Sequence, residues 1–99
     1  MKELEKPAIE QLIYVYMKFL DEGLSQKVIN KAKEIYDELT PGNTLLSPIV
    51  NHAVGKLFSI GYPNVDPNRP IPTKDEAKDI IEDLKKRKQE LEKEQWINL

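Results

Sequence analysis

Apolar residues recur at intervals of three and four positions in four blocks of the chain, and this spacing predicts four helices. The predicted helices lie near residues 8–22, 25–39, 47–60 and 74–95. No segment shows the strict alternation of apolar and polar residues that is typical of a half-buried strand. We therefore predict an all-α fold, a small bundle of about four helices that forms a single helical domain over residues 1–99.

Residues typical of helix ends mark the predicted boundaries. Pro7 suits the first turn of the first helix, because proline lacks the N–H that would have no partner there. Ser25 and Ser47 suit the N-cap positions of the second and third helices. Thr73 and Glu76 have the spacing of a capping box, which predicts the start of the last helix.

Two glycines and a proline-rich segment complete the predicted architecture. Gly55 lies inside the third helix, where it indicates the close approach of another helix. Gly61 is predicted to end that helix in the left-handed conformation. Residues 62–72 contain four prolines, which exclude a helix and predict a stiff loop before the last helix.

The predicted core combines the apolar faces of all four helices. Residues 12–17 are apolar or aromatic on every side, so we expect the first helix to be the most buried. The side chains predicted to be largely buried are Ile13, Phe19, Ile35, Val54, Leu57, Phe58 and Ile81.

The last helix continues beyond its own apolar stripe, which ends at Leu84. Residues 85–99 are therefore predicted to form a protruding C-terminal extension. Its apolar side chains are the predicted partner-binding residues, and they are Leu91, Trp96, Ile97 and Leu99. A large aromatic residue at such an end is typical of interface contacts. The alternative is that the helix folds back and Trp96 covers its own core.

Composition narrows the classes of function. The formal net charge is −2, from 15 basic and 17 acidic residues that are closely interleaved, so the chain has no broad basic field. The absence of cysteine excludes disulfides, thiolate metal sites and cysteine nucleophiles. The first residues are charged and the longest apolar run, residues 12–17, is too short to cross a bilayer. We expect a cytoplasmic protein with no membrane contact.

The reactive side chains form no recognisable catalytic set. His52 is the only histidine, and no Asp or Glu lies three or four positions from it, so a helical metal-binding pair is absent. The carboxylates of the last helix each have a Lys or Arg within one turn, which is typical of a solvated face. We therefore predict no catalytic residue, no cofactor, no metal ion and no small-molecule substrate, and the chain is not expected to be an enzyme.

Two functions remain open. The leading interpretation is a non-enzymatic protein-interaction module, which docks a protein partner or a second copy of itself as a homo-oligomer. The alternative is a nucleic-acid-associated regulatory protein that contacts phosphates through a basic run in a dimer. That run consists of Lys85, Lys86, Arg87 and Lys88, and glutamates follow it directly.

The second and third predicted helices carry one likeness to a known family. The run from Gly23 to Tyr36, then Ser47-Pro48 and an apolar helix to Pro63, resembles helices two and three of a cyclin repeat of the archaeal transcription factor B type. The likeness covers under half of the chain. The fifth helix of a cyclin repeat has no counterpart here, and the basic DNA-facing residues of the family are missing. The resemblance implies a way of packing two helices and assigns no function.

Overall fold

A computed structural model describes residues 2–41 and 46–97, with side chains for 5–41 and 46–93. It confirms the all-α fold, and these residues contain no strand. The four helices are α1 (Lys2–Glu22), α2 (Gln26–Leu39), α3 (Pro48–Gly61) and α4 (Lys74–Ile97).

The first helix begins earlier than its sequence predicts. It starts at Lys2, so Pro7 lies inside α1 and not in its first turn. Proline inside a helix removes one backbone hydrogen bond. Glu5 and Ala8, on either side of Pro7, are both buried against the rest of the bundle. These tertiary contacts hold the first turns of α1 in the helical conformation.

The predicted N-caps of the other helices are confirmed. The Ser25 hydroxyl accepts a hydrogen bond from a backbone amide of the first turn of α2, and the Ser47 hydroxyl does the same in α3. The Thr73 hydroxyl accepts from the Glu76 amide at 3.1 Å, and the Glu76 carboxylate accepts from the Thr73 amide at 3.3 Å. Each cap therefore satisfies amides that the helix itself leaves without partners.

Helix α1 packs antiparallel against α4, and α2 packs against α3. The α1–α4 register is visible in two ion pairs, Lys6 with Glu92 and Glu10 with Lys88. From Lys6 to Glu10 the chain advances four residues along α1, and the partner on α4 moves back four residues, from Glu92 to Lys88. Helices α1 and α3 each contact all three other helices.

The core confirms most of the predicted buried residues. Phe19, Ile35, Val54, Leu57 and Ile81 are buried. The remaining two, Ile13 and Phe58, are only partly buried. Ile13 packs against the core, and the Phe58 ring lies against the rings of Tyr36 and Tyr62.

The first helix, which was expected to be the most buried, is covered on only part of its circumference. Tyr14 is 52% exposed and Met17 is 51% exposed, because neighbouring helices cover only part of the circumference of α1. Tyr16 of the same segment is fully buried, and its hydroxyl donates to the backbone oxygen of Ala53 on α3. Burial raises the pKa of Tyr16.

The two glycines of α3 have the reverse of their predicted roles. A Cβ added at Gly55 would meet no neighbouring atom within 4 Å, so Gly55 does not mark a close helix contact. A Cβ at Gly61 would lie 2.7 Å from the backbone nitrogen of Lys33, so α2 and α3 are in close contact there. Gly61 is the last residue of α3 and does not adopt the left-handed conformation. Gly23, which follows α1, does adopt the left-handed conformation, with a φ of 68°.

Candidate functional site

The predicted partner-binding residues lie in different environments. Leu91 is 3% exposed and belongs to the apolar core, so the expectation that it is an exposed contact residue is wrong. Trp96 and Ile97 lie on the helical backbone of α4, and their side chains are outside the described residues. Leu99 is also outside the described residues.

The segment before Trp96 does not protrude. Two side chains of α4, Lys88 and Glu92, form ion pairs with α1, and Leu91 between them is buried. The prediction of a protruding extension over residues 85–99 is therefore corrected as far as Glu92. The physical reason is the early start of α1, whose additional turns provide a partner helix for this part of α4.

Arg87 is the most constrained side chain of the predicted basic run. Its guanidinium donates two hydrogen bonds of 3.1 Å to the Glu5 carboxylate and one of 3.2 Å to Glu90. The Glu5 side chain is only 4% exposed, and it also accepts a hydrogen bond from the Ser47 amide. This arrangement joins α1, α4 and the start of α3.

The pKa values of this cluster follow from its geometry. Burial alone would raise the pKa of Glu5, but the hydrogen bonds from Arg87 and Ser47 and the charge of Arg87 outweigh burial and lower that pKa. The hydrogen bond to Glu5 raises the pKa of Arg87. Both groups are therefore held in their charged forms, and a carboxylate that stays charged and paired is suited to a structural role.

The rest of the basic run divides into paired and exposed residues. Lys88 lies 3.7 Å from the Glu10 carboxylate. Lys85 and Lys86 are exposed to solvent. Two of the four predicted phosphate contacts, Arg87 and Lys88, are thus engaged with carboxylates of α1, which reduces the positive field that this run could present to a nucleic acid.

His52 lies exposed on α3 between two surface grooves. Among the residues that the structure describes, no three histidine or carboxylate side chains converge on a metal position. One of the two grooves is mainly apolar and lies between the start of α3 and α4, where Ile49, Ile80 and Asp83 line it.

The other groove beside His52 lies between α3 and the loop that follows it, and we call it the α3–loop groove. Its volume is about 330 Å³, and it is lined by His52, Gly55, Lys56 and Ser59 of α3 and by residues 68–70 of the loop. Sequence reasoning missed this groove, because the contact between the loop and α3 is not visible in local spacing. The unexplained glycine inside α3 was the available signal.

A further groove separates α1 from α2. Tyr14 and Lys18 of α1 face Lys27, Val28 and Lys31 of α2 around a volume of about 230 Å³. Lys18 and Lys31 each pair with a glutamate of their own helix, so the groove has no strong charge of one sign.

Comparisons with protein families, with characterised proteins and with solved structures found no match to this chain. In the described part of the chain, no helix carries an apolar stretch long enough to cross a membrane.

Proposed function

We propose that this chain is a non-enzymatic protein-interaction module that docks a second copy of itself or another protein through the last turns of α4. The supporting observation is the position of the last buried side chain described on that helix, Leu91. The helical backbone continues from there to Ile97, a distance of about 9 Å at the rise of an α-helix.

Ion pairs link this end of α4 to α1. Beyond Arg87, the hydrogen bonds and ion pairs of α4 are formed with α1 or within α4 itself. Continuing the register of the Lys6–Glu92 pair brings Trp96 level with the first turn of α1. At this end the described residues form an α1–α4 pair, and the start of α3 joins it at Glu5.

A tryptophan side chain buries roughly 150–250 Å² when fully covered. Under this proposal, Trp96 and Ile97 contact the partner, because tryptophan commonly dominates the energy of protein contacts. The competing arrangement places Trp96 entirely against its own α1.

The double substitution Trp96→Ser and Ile97→Ser tests the proposal. We expect the variant to lose self-association or partner binding in light scattering while its melting temperature stays within a few degrees of the parent. Met17→Ser is the matched control, because it removes an exposed apolar side chain of α1 away from this end. An unchanged molar mass with a lowered melting temperature would show that Trp96 packs on its own bundle, and the proposal would be wrong.

A truncation after Lys93 gives a second test. It removes Trp96, Ile97 and Leu99, and it keeps Leu91, Glu92 and every described contact with α1. We expect a folded protein that no longer associates. If the parent chain stays monomeric at all concentrations, the partner is not a second copy of the chain but a different protein.

The alternative function as a nucleic-acid-associated regulator is tested by salt. Binding through phosphates weakens steeply as salt concentration rises, whereas apolar docking does not. Lys85 and Lys86 are the exposed residues of the basic run. Replacing both with Gln would abolish such binding and would leave apolar docking unchanged.

A further inference from the structure

We infer that the α3–loop groove binds a small molecule that carries a phosphate group. This inference is independent of the proposed function, since the groove lies on α3 and the loop and does not include Trp96 or Ile97. Its volume of about 330 Å³ falls within the range of small-ligand sites.

The charge of the groove selects an anion. Lys56 and Arg69 line it, the ring of His52 and the amide of Asn68 add polar groups, and none of its lining residues is acidic. A lysine of α3 and an arginine of the loop, without an acidic residue among the lining positions, complement a phosphate better than they complement a neutral or cationic ligand.

Arg69 is held in place on the loop wall. Its guanidinium carbon lies 4.7 Å from the centre of the Phe58 ring, within the range of a cation–π contact. The Asp66–Arg69 turn supports this position, because the Arg69 amide donates to the backbone oxygen of Asp66 at 3.1 Å. No ion pair among the described residues includes Arg69, so its planar donors remain available to an anion.

Lys56 provides the cation on α3. Its ammonium lies 3.7 Å from the carboxylate of Glu76, which also takes part in the cap of α4. An ammonium has three donors, so this pair leaves two for a ligand. The contact also limits the positions that the Lys56 side chain adopts before the ligand arrives.

Gly55 provides an observation that does not depend on charge. Glycine inside a helix costs about 1 kcal/mol relative to alanine, and no contact among the described residues requires it at this position. The missing side chain instead opens the surface of α3 directly beneath the groove, between His52 and Lys56. A ligand can therefore approach the helix backbone there, which is a recognised use of glycine.

Titration calorimetry on the full chain tests the inference with three probes: inorganic phosphate, adenosine monophosphate and glucose 6-phosphate. We expect saturable binding of at least one probe. Equal affinity for all three would identify free phosphate as the ligand. Tighter binding of one organic phosphate would show that the rest of the molecule is also recognised.

The variants separate a built site from general attraction of anions. Arg69→Gln should weaken binding about tenfold or more, because it removes a charged donor. Lys85→Gln is the matched control, since it removes one charge from an exposed position on α4. It should leave the affinity unchanged.

Two substitutions of Gly55 exclude unfolding as the cause of lost binding. Gly55→Ala and Gly55→Leu place a side chain in open space and should keep or raise the melting temperature. They should nevertheless weaken binding, and leucine should weaken it more. The inference is overturned if no probe binds, if Lys85→Gln weakens binding as much as Arg69→Gln, or if Gly55→Leu retains the parent affinity.

Discussion

Glu5 and Arg87 lie 82 positions apart in the chain, and their carboxylate and guanidinium share two hydrogen bonds of 3.1 Å. The Glu5 side chain is almost completely buried, and the Arg87 side chain is 20% exposed. A buried carboxylate is tolerated only while a cation and hydrogen-bond donors accompany it. This contact therefore fixes the first turns of α1 against α4.

Arg87→Ala should lower the free energy of unfolding by about 2–4 kcal/mol, because it leaves the Glu5 carboxylate buried without its cation. Urea denaturation measures the loss. Lys85→Ala, at an exposed position two residues earlier on α4, should change stability by no more than about 0.5 kcal/mol. Equal effects of the two substitutions would contradict the structural role of the pair.

The Glu5–Arg87 pair also predicts how the stability of the protein changes with pH. The pKa of Glu5 is lower in the folded chain than in the unfolded chain, where glutamate titrates near about 4.3. Its contribution to stability is complete above the unfolded pKa and is lost as pH falls through the lowered folded pKa. Between pH 5 and pH 3, roughly the window in which glutamates titrate, the parent should therefore lose more stability than Glu5→Gln. If urea denaturation shows that the free energy of unfolding falls equally with pH in the parent and in Glu5→Gln, the prediction is wrong.

The two glycines of α3 should respond in opposite directions to alanine. Gly55→Ala should stabilise the protein by about 0.5–1 kcal/mol, because the methyl group enters open space and alanine favours the helix. Gly61→Ala should destabilise it by about 1–3 kcal/mol, because the methyl group would meet the backbone of Lys33. Thermal denaturation of both variants decides the matter, and a stabilised Gly61→Ala would show that α2 and α3 are not in close contact there.

Leu57 is fully buried at the centre of the core, so Leu57→Ala should cost about 2–5 kcal/mol. Ile49→Ala serves as the control on the same helix, because Ile49 is 38% exposed, and its cost should stay below about 1 kcal/mol. Urea denaturation compares the two. Similar losses would mean that α3 presents a different face to the core.

Local signals predicted the helices well because their causes are local. Ser25, Ser47 and the Thr73–Glu76 box each act within one turn of their own helix, and each forms the predicted cap. The early start of α1 has a distant cause. Proline at position 7 favours a later start, and the contact of Glu5 with Arg87 opposes that preference from the other end of the chain.

The candidate surfaces were harder to predict for the same reason. Leu91 is a single apolar residue in a polar run, and its burial depends on turns of α1 that the sequence pattern did not indicate. The roles of Gly55 and Gly61 depend on where α2 and the loop lie relative to α3. The spacing of residues along one helix does not reveal where other segments pack against it.

The antiparallel pairing of α1 with α4 also has a consequence for the order of folding. The α2–α3 contact joins neighbouring segments, whereas the Glu5–Arg87 contact closes a loop of 82 positions, which costs more entropy and forms more slowly. During synthesis, which proceeds at roughly 5–20 residues per second, the apolar face of α1 stays incompletely covered until α4 has emerged. A nascent chain that stops before α4 therefore exposes the part of α1 that α4 covers to chaperones and to other nascent chains.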